Sequence, residues 1–129
     1  MKKLNSKGNS YMDISIFIII AIIMMYLIIN IISVIMLKQK LDDFAGELIK
    51  TAEISGRIGS EVETKKAKLK EELGISPIIS ITPSTGNVQL NNDIKVLVQD
   101  KADIGLSSLI KLTLNLKSSR TGQSEVYWK

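Results

Sequence analysis

Ile14-Ser15-Ile16-Phe17-Ile18-Ile19-Ile20-Ala21-Ile22-Ile23-Met24-Met25-Tyr26-Leu27-Ile28-Ile29-Asn30-Ile31-Ile32-Ser33-Val34-Ile35-Met36-Leu37 runs for 24 residues without a charge, and twelve of them are Ile. As a helix the run is about 36 Å long, enough to cross a hydrocarbon core of about 30 Å. A soluble core helix is the competing reading. A chain of 129 residues has too little material to wrap such a helix on every side. A cleaved secretory signal is the other alternative, since Lys2, Lys3 and Lys7 precede the run. Its apolar part would be twice too long, and the exit Ile35-Met36-Leu37-Lys38-Gln39 offers no pair of small residues for a signal peptidase. The sequence therefore predicts a retained transmembrane helix, with the lipid bilayer as its first partner. Three Lys before the span and Lys38, Lys40 and Lys50 after it leave the positive-inside count tied. A short basic tail ahead of one long apolar helix favours a cytoplasmic N-terminus and an extracytoplasmic C-terminal domain at the cell membrane.

After the span the pattern stays helical. Leu37, Leu41, Phe44, Leu48 and Ala52 recur at spacings of three and four, with Lys, Asp, Gln and Glu on the other faces. An amphipathic stalk is expected over 38–73, with a break near 55–60 at Ser55-Gly56-Arg57-Ile58-Gly59. Ser60 and Glu63 match a capping box, so a second helix should run from Glu61 to Leu73 and end at Gly74, with Pro77 beyond. Over 75–129 the texture changes to short β-type runs: Ile78 to Thr82, Val88 to Leu90, and Ile94 to Val98 extending to Ile104 and ended by Gly105. Ile110 to Lys117 alternates strictly, the clearest strand in the chain. Ser118 to Gly122 reads as a loop, and Ser124 to Trp128 as a last strand that turns Tyr127 and Trp128 to opposite faces. The expected fold is α+β: a long N-terminal transmembrane helix continuing into an amphipathic helix, a second short helix, and a small antiparallel sheet. With few aromatic residues that sheet needs a helix on its apolar face, for which the stalk offers Phe44, Leu48, Ala52 and Ile58.

Composition excludes much chemistry. The chain has no Cys and no His, hence no disulfide framework, no zinc cluster, and no imidazole or thiolate for catalysis. It carries no G-x-S-x-G turn, no G-x-x-x-x-G-K loop and no G-x-G-x-x-G fingerprint. Neither an enzyme activity nor a cofactor or metal is expected. After the span 14 bases face 12 acids, which makes no basic stripe for nucleic acid. The run Lys65-Lys66-Ala67-Lys68-Leu69-Lys70 reads as the solvated face of a helix, with Glu61 and Glu63 at pairing distance from Lys65 and Lys66.

Two constellations bear on function. Ser15, Tyr26, Asn30 and Ser33 project within about 60° of one another at 100° per residue. They form a candidate surface for packing on another transmembrane helix, although each Ser can also bond to its own helix. The second is Lys7-Gly8-Asn9-Ser10-Tyr11-Met12-Asp13, a basic leader over 1–8 ending in Gly, with an acid five positions later at the mouth of the 9–37 helix. An interfacial Asp13 can equally serve the first turn of a helix.

With its leader, acid, uninterrupted span and trailing sheet, the chain resembles the TadE-like minor pseudopilins of tight-adherence and related type IV pilus or type II secretion systems. The resemblance implies that a prepilin-type peptidase cuts between Gly8 and Asn9, with Lys7 before the cut. It also implies that Asp13 takes the position of the acid that pairs with the amine of a neighbouring subunit. That acid is usually Glu in the family, and the first mature residue is often Phe. On this reading the chain is a structural subunit of an envelope apparatus whose partners are other pilin-like or transmembrane subunits. The alternative is an uncleaved single-pass membrane protein whose small external domain binds a partner protein.

Overall fold

The computed structural model describes residues 6–107 and 110–129. Helix α1, Ser6–Ser55, is one continuous rod of 50 residues, about 75 Å long at 1.5 Å per residue. No Pro interrupts it, and its one interior Gly past the span, Gly46, sits in open space. From Tyr11 to Ile29 every side chain is exposed, and this is the one described helix long and apolar enough to cross a membrane. It fits a membrane anchor.

The helix ends as Gly56 turns left-handed, at φ +59°. Strand β1, Arg57–Ile58, follows, then α2, Ser60–Leu73. The break near 55–60 is therefore a two-residue strand, and Ile58 is buried from β1 rather than from the helix. The expected capping box does not form. Gly59 is the N-cap, Glu63 N–H donates to the Gly59 carbonyl (3.1 Å), and the Ser60 hydroxyl turns to Glu61 instead (3.3 Å). Ser60 is already inside the helix, one residue too late to cap it. The far end is as expected: Gly74 takes the left-handed position at φ 62°.

Strand β2 spans Ile78–Thr82, β3 Gly86–Asn87, β4 Asp93–Ser107 and β5 Ile110–Gln123. One antiparallel sheet has the order β2-β4-β5, and β1 pairs with β3 as a separate two-stranded piece. Four strand expectations are corrected. Val88 to Leu90 is no strand; the pairing falls just before it, at Arg57↔Asn87 and Ile58↔Gly86. Gly105 does not end β4, and Ser118 to Gly122 is no loop, because β4 and β5 form a hairpin paired from Asp93↔Gln123 to Ser107↔Ile110. Ser124 to Trp128 carries no ladder and is a bound tail instead.

The core lies between the second half of α1 and the sheet. Leu41, Phe44, Ala45, Leu48 and Ala52 are all fully buried against Ile94, Val96 and Val98 of β4, with Ile79, Ile81 and Leu116 alongside. Helix α2 adds Val62 and Leu69, and Lys65 ties it to α1 through Glu47 (3.0 Å). The tail closes the end of α1. Gly56 carbonyl accepts from both Val88 N–H (2.8 Å) and the Trp128 indole (2.8 Å), and Gln89 exchanges two hydrogen bonds with the Trp128 backbone. Of the neighbouring aromatics, Trp128 turns inward and Tyr127 stays exposed.

Candidate functional site

The polar stripe of the span lies on the same face of α1 as the core-facing residues of its second half. At 100° per residue Tyr26, Asn30 and Ser33 share their bearing with Leu37, Phe44 and Leu48 to within about 60°. The β4–β5 hairpin follows this face past the end of the sheet core. Lys38 Nζ donates to the Lys117 carbonyl (2.6 Å), and farther down the helix the Tyr26 hydroxyl donates to the Gly105 carbonyl. Asn30, Val34, Leu37 and Lys38 are half-buried beneath it.

Each polar side chain of the stripe donates a hydrogen bond within the chain. Ser15 donates to the Tyr11 carbonyl (2.9 Å), Asn30 to Tyr26 (2.8 Å) and Ser33 to Ile29 (3.0 Å), each bonding four residues back along its own helix. Tyr26 bonds the hairpin. Lys7, Gly8 and Asn9 lie in the first turns of α1, and Asp13 is exposed one turn beyond. The first part of the leader, 1–5, lies outside the described residues. The structure thus groups Tyr26, Asn30 and Ser33 on one face and keeps Lys7, Gly8, Asn9 and Asp13 apart at the end of the rod.

Above the stripe is a charged junction absent from the sequence reading. Asp42 accepts from Lys38 (2.9 Å) and from Ser118 of β5 (2.6 Å). The Ser118 hydroxyl and the Lys38 ammonium beside it hold the Asp42 carboxyl below its usual range. Glu47 is likewise lowered, by its hydrogen bond and charge attraction to Lys65. Ser118 continues the inward parity of Leu114 and Leu116, and Gly122 continues it again beneath Glu53, which accepts from Gln123 N–H (3.1 Å). That parity was the available signal. It was hidden because Ser and Gly, rather than apolar residues, occupy the inward positions where the acids of α1 approach.

Among the described residues no three His, Cys, Asp or Glu converge in a manner suited to a metal. The hollows are open grooves, such as the one lined by Asp42, Asp43, Glu47, Lys50, Glu53 and Arg120. The site consists of paired charges, hydrogen-bonded polar groups and a wide exposed apolar face.

A family model described as Domain of unknown function (DUF4320) matches residues 18–129. No curated protein and no solved structure matches the chain. The matched segment includes Tyr26, Asn30 and Ser33 and begins after Lys7, Gly8, Asn9 and Asp13.

Proposed function

The chain belongs to the DUF4320 family, and we propose that it is a non-enzymatic, membrane-anchored structural subunit, a minor pseudopilin-like component of a pilus, secretion or conjugation-type envelope apparatus. The observation that carries this reading is the single rod α1, whose first half is apolar on all sides and uncovered and whose second half is the backbone of a small sheet domain. A helix apolar all round needs lipid or other apolar helices around it. Repeated side-by-side packing of such helices would build an assembly while the sheet domains stay outside it. In this proposal Asp13 pairs with a neighbouring subunit's amine after cleavage at Gly8.

One observation favours the second reading, an uncleaved anchor whose external domain binds a partner protein. Tyr26, Asn30 and Ser33 each donate a hydrogen bond inside the chain, which lowers the gain from hydrogen bonding to another transmembrane helix.

The intact mass of the membrane-extracted protein tests the choice. It is measured with and without a prepilin peptidase from the same host, for wild type, Gly8→Leu and Asp13→Ala. The proposal expects loss of the Met1 to Gly8 mass only when the peptidase is present and Gly8 is intact. A full-length mass in every condition overturns processing and leaves the partner-binding anchor.

A further inference from the structure

The end of the β4–β5 hairpin and a lipid bilayer lay claim to the same stretch of α1. A hydrocarbon core about 30 Å thick takes about 20 helical residues. With one edge at Ile14, the residue after Asp13, the other falls near Ser33. Tyr26 lies about 10 Å inside that edge, and its hydroxyl donates to the Gly105 carbonyl of the hairpin. A hairpin end held there would place open strand edges in hydrocarbon, where unpaired backbone N–H and C=O groups find no water. It would also carry the Asp103–Lys111 ion pair (2.8 Å), whose Lys111 stands opposite Gly105 in the ladder, towards the lipid. The docked hairpin and the full span therefore exclude each other.

Which of them yields is decided by what each would lose. Sliding α1 until the edge falls at Tyr26 carries Asp13 about 20 Å below it, deep in hydrocarbon, where a carboxylate is disfavoured. The same slide puts Leu27, Ile28, Ile29, Ile31, Ile32 and Ile35, all exposed in the fold, into water. Lifting the hairpin end forfeits only the Tyr26–Gly105 bond and the partial cover over Asn30 and Val34. The hairpin is also built to bend at its root. Strand β2 stops pairing at Ile78↔Gln99, so beyond Gln99 the sheet is a two-stranded ribbon, a form marginal by itself. Leu116 is the last hairpin residue packed on the core, and among the described residues of the ribbon Ala102 alone is buried farther out. The root itself is tied down: Lys38 donates to the Lys117 carbonyl (2.6 Å) and Asp42 accepts from Ser118 (2.6 Å). Lys38 stands about 8 Å beyond Ser33, outside the hydrocarbon.

We propose that bilayer hydrocarbon and the end of the β4–β5 hairpin are alternative occupants of one face of α1, over residues 26–33. In a bilayer of ordinary thickness the ribbon beyond Gln99 and Lys117 swings off the helix into water, and the Tyr26–Gly105 contact forms only where the hydrocarbon stops short of it. The inference rests on α1 spanning the bilayer, and the test separates the two. Its variable is bilayer thickness. A core thinned to about 20 Å takes about 13 helical residues, so from Ile14 it ends near Tyr26 and leaves the docked hairpin clear. Because the chain has no Cys, full-length Met25→Cys/Leu112→Cys takes a nitroxide pair whose separation is read by pulsed electron paramagnetic resonance. The protein is reconstituted in dilauroyl- or dioleoyl-phosphatidylcholine vesicles, thin and thick. The pair is expected to stay close in the thin bilayer and to part by at least about 10 Å in the thick one, the rise that clears Ser33. A Lys50→Cys/Lys95→Cys pair across the buried core should read one distance in both. A single nitroxide on Ile20→Cys should be reached by oxygen and not by a water-soluble nickel chelate. A short 25–112 distance in the thick bilayer, with position 20 in hydrocarbon, overturns the competition and keeps the span. A long distance in both bilayers overturns docking on this face. A change in the 50–95 pair overturns the pivot at the ribbon's root. Position 20 open to the chelate overturns the span itself. If Leu112→Cys alters the far-ultraviolet circular dichroism, Ile104→Cys carries the hairpin label instead.

Discussion

The two halves of α1 share one backbone and live in different surroundings. From Tyr11 to Ile29 no side chain is buried, whereas between Leu41 and Ala52 Leu41, Phe44, Ala45, Leu48 and Ala52 are all at 0% exposure. Helical continuity is decided locally, by the absence of Pro and of paired Gly before Ser55. The environment is decided by where charges fall. The first half has no charged face to give to water, so it takes an apolar solvent on all sides. The second places Lys40, Asp43, Glu47 and Lys50 around a stripe of apolar residues and buries only that stripe.

The sharpest way to break this comparison is a reciprocal pair of substitutions. Phe44→Ala is expected to cost about 3–5 kcal/mol of folding stability, most of what a domain this small possesses, with no change in the fraction retained by membranes. Ile20→Lys is expected to weaken insertion by about 3 kcal/mol and to leave the melting of the sheet domain in place. Denaturation followed by the single Trp, Trp128, and alkaline extraction of membranes read the two effects separately. A Phe44→Ala protein that leaves the membrane would show the halves to be coupled. Next in size is Gly56→Ala, at the end of the buried half. Its φ of +59° and the clash of a new Cβ with Val126 Cβ predict a loss of about 2 kcal/mol and a red shift of Trp128 emission as the tail loosens.

The smallest effect separates the halves by acid. Asp42 and Glu47, both in the second half, titrate below their ordinary values of 3.8 and 4.5. Folding holds their charged forms, so their contribution is complete above those ordinary values and fades as pH falls through the lowered ones. Both side chains are partly exposed, and solvent screening limits each to a few tenths of a kcal/mol. Denaturant midpoints taken from about pH 6 to about pH 3 should fall less for Asp42→Asn than for wild type.

What could be read in advance follows the same division. The span needs only a run of uncharged residues, and the buried face of α1 needs only the spacing of Leu37, Leu41, Phe44, Leu48 and Ala52, so both were legible. Gly74 was legible because a left-handed residue after a helix is a local requirement. Strand β5 was cut short because Ser118 and Gly122 hide its inward parity, and β1–β3 was missed because two-residue strands 29 positions apart leave no periodicity. Ser60 and Glu63 satisfied a capping pattern that Gly59 pre-empted. The bearing of Tyr26 on Gly105 was legible in neither segment, since it depends on how far the hairpin runs down the helix.

A rod from Ser6 to Ser55 without a hinge has a torsional consequence. Whatever grips its lower half sets the compass heading of the sheet domain, because a twist applied at one end arrives undiminished at the other. One residue inserted at the junction near Lys38 would swing the domain about 100° around the axis, while seven would bring it back to within about 20°. The spacing between anchor and sheet is thus an angular setting as much as a length.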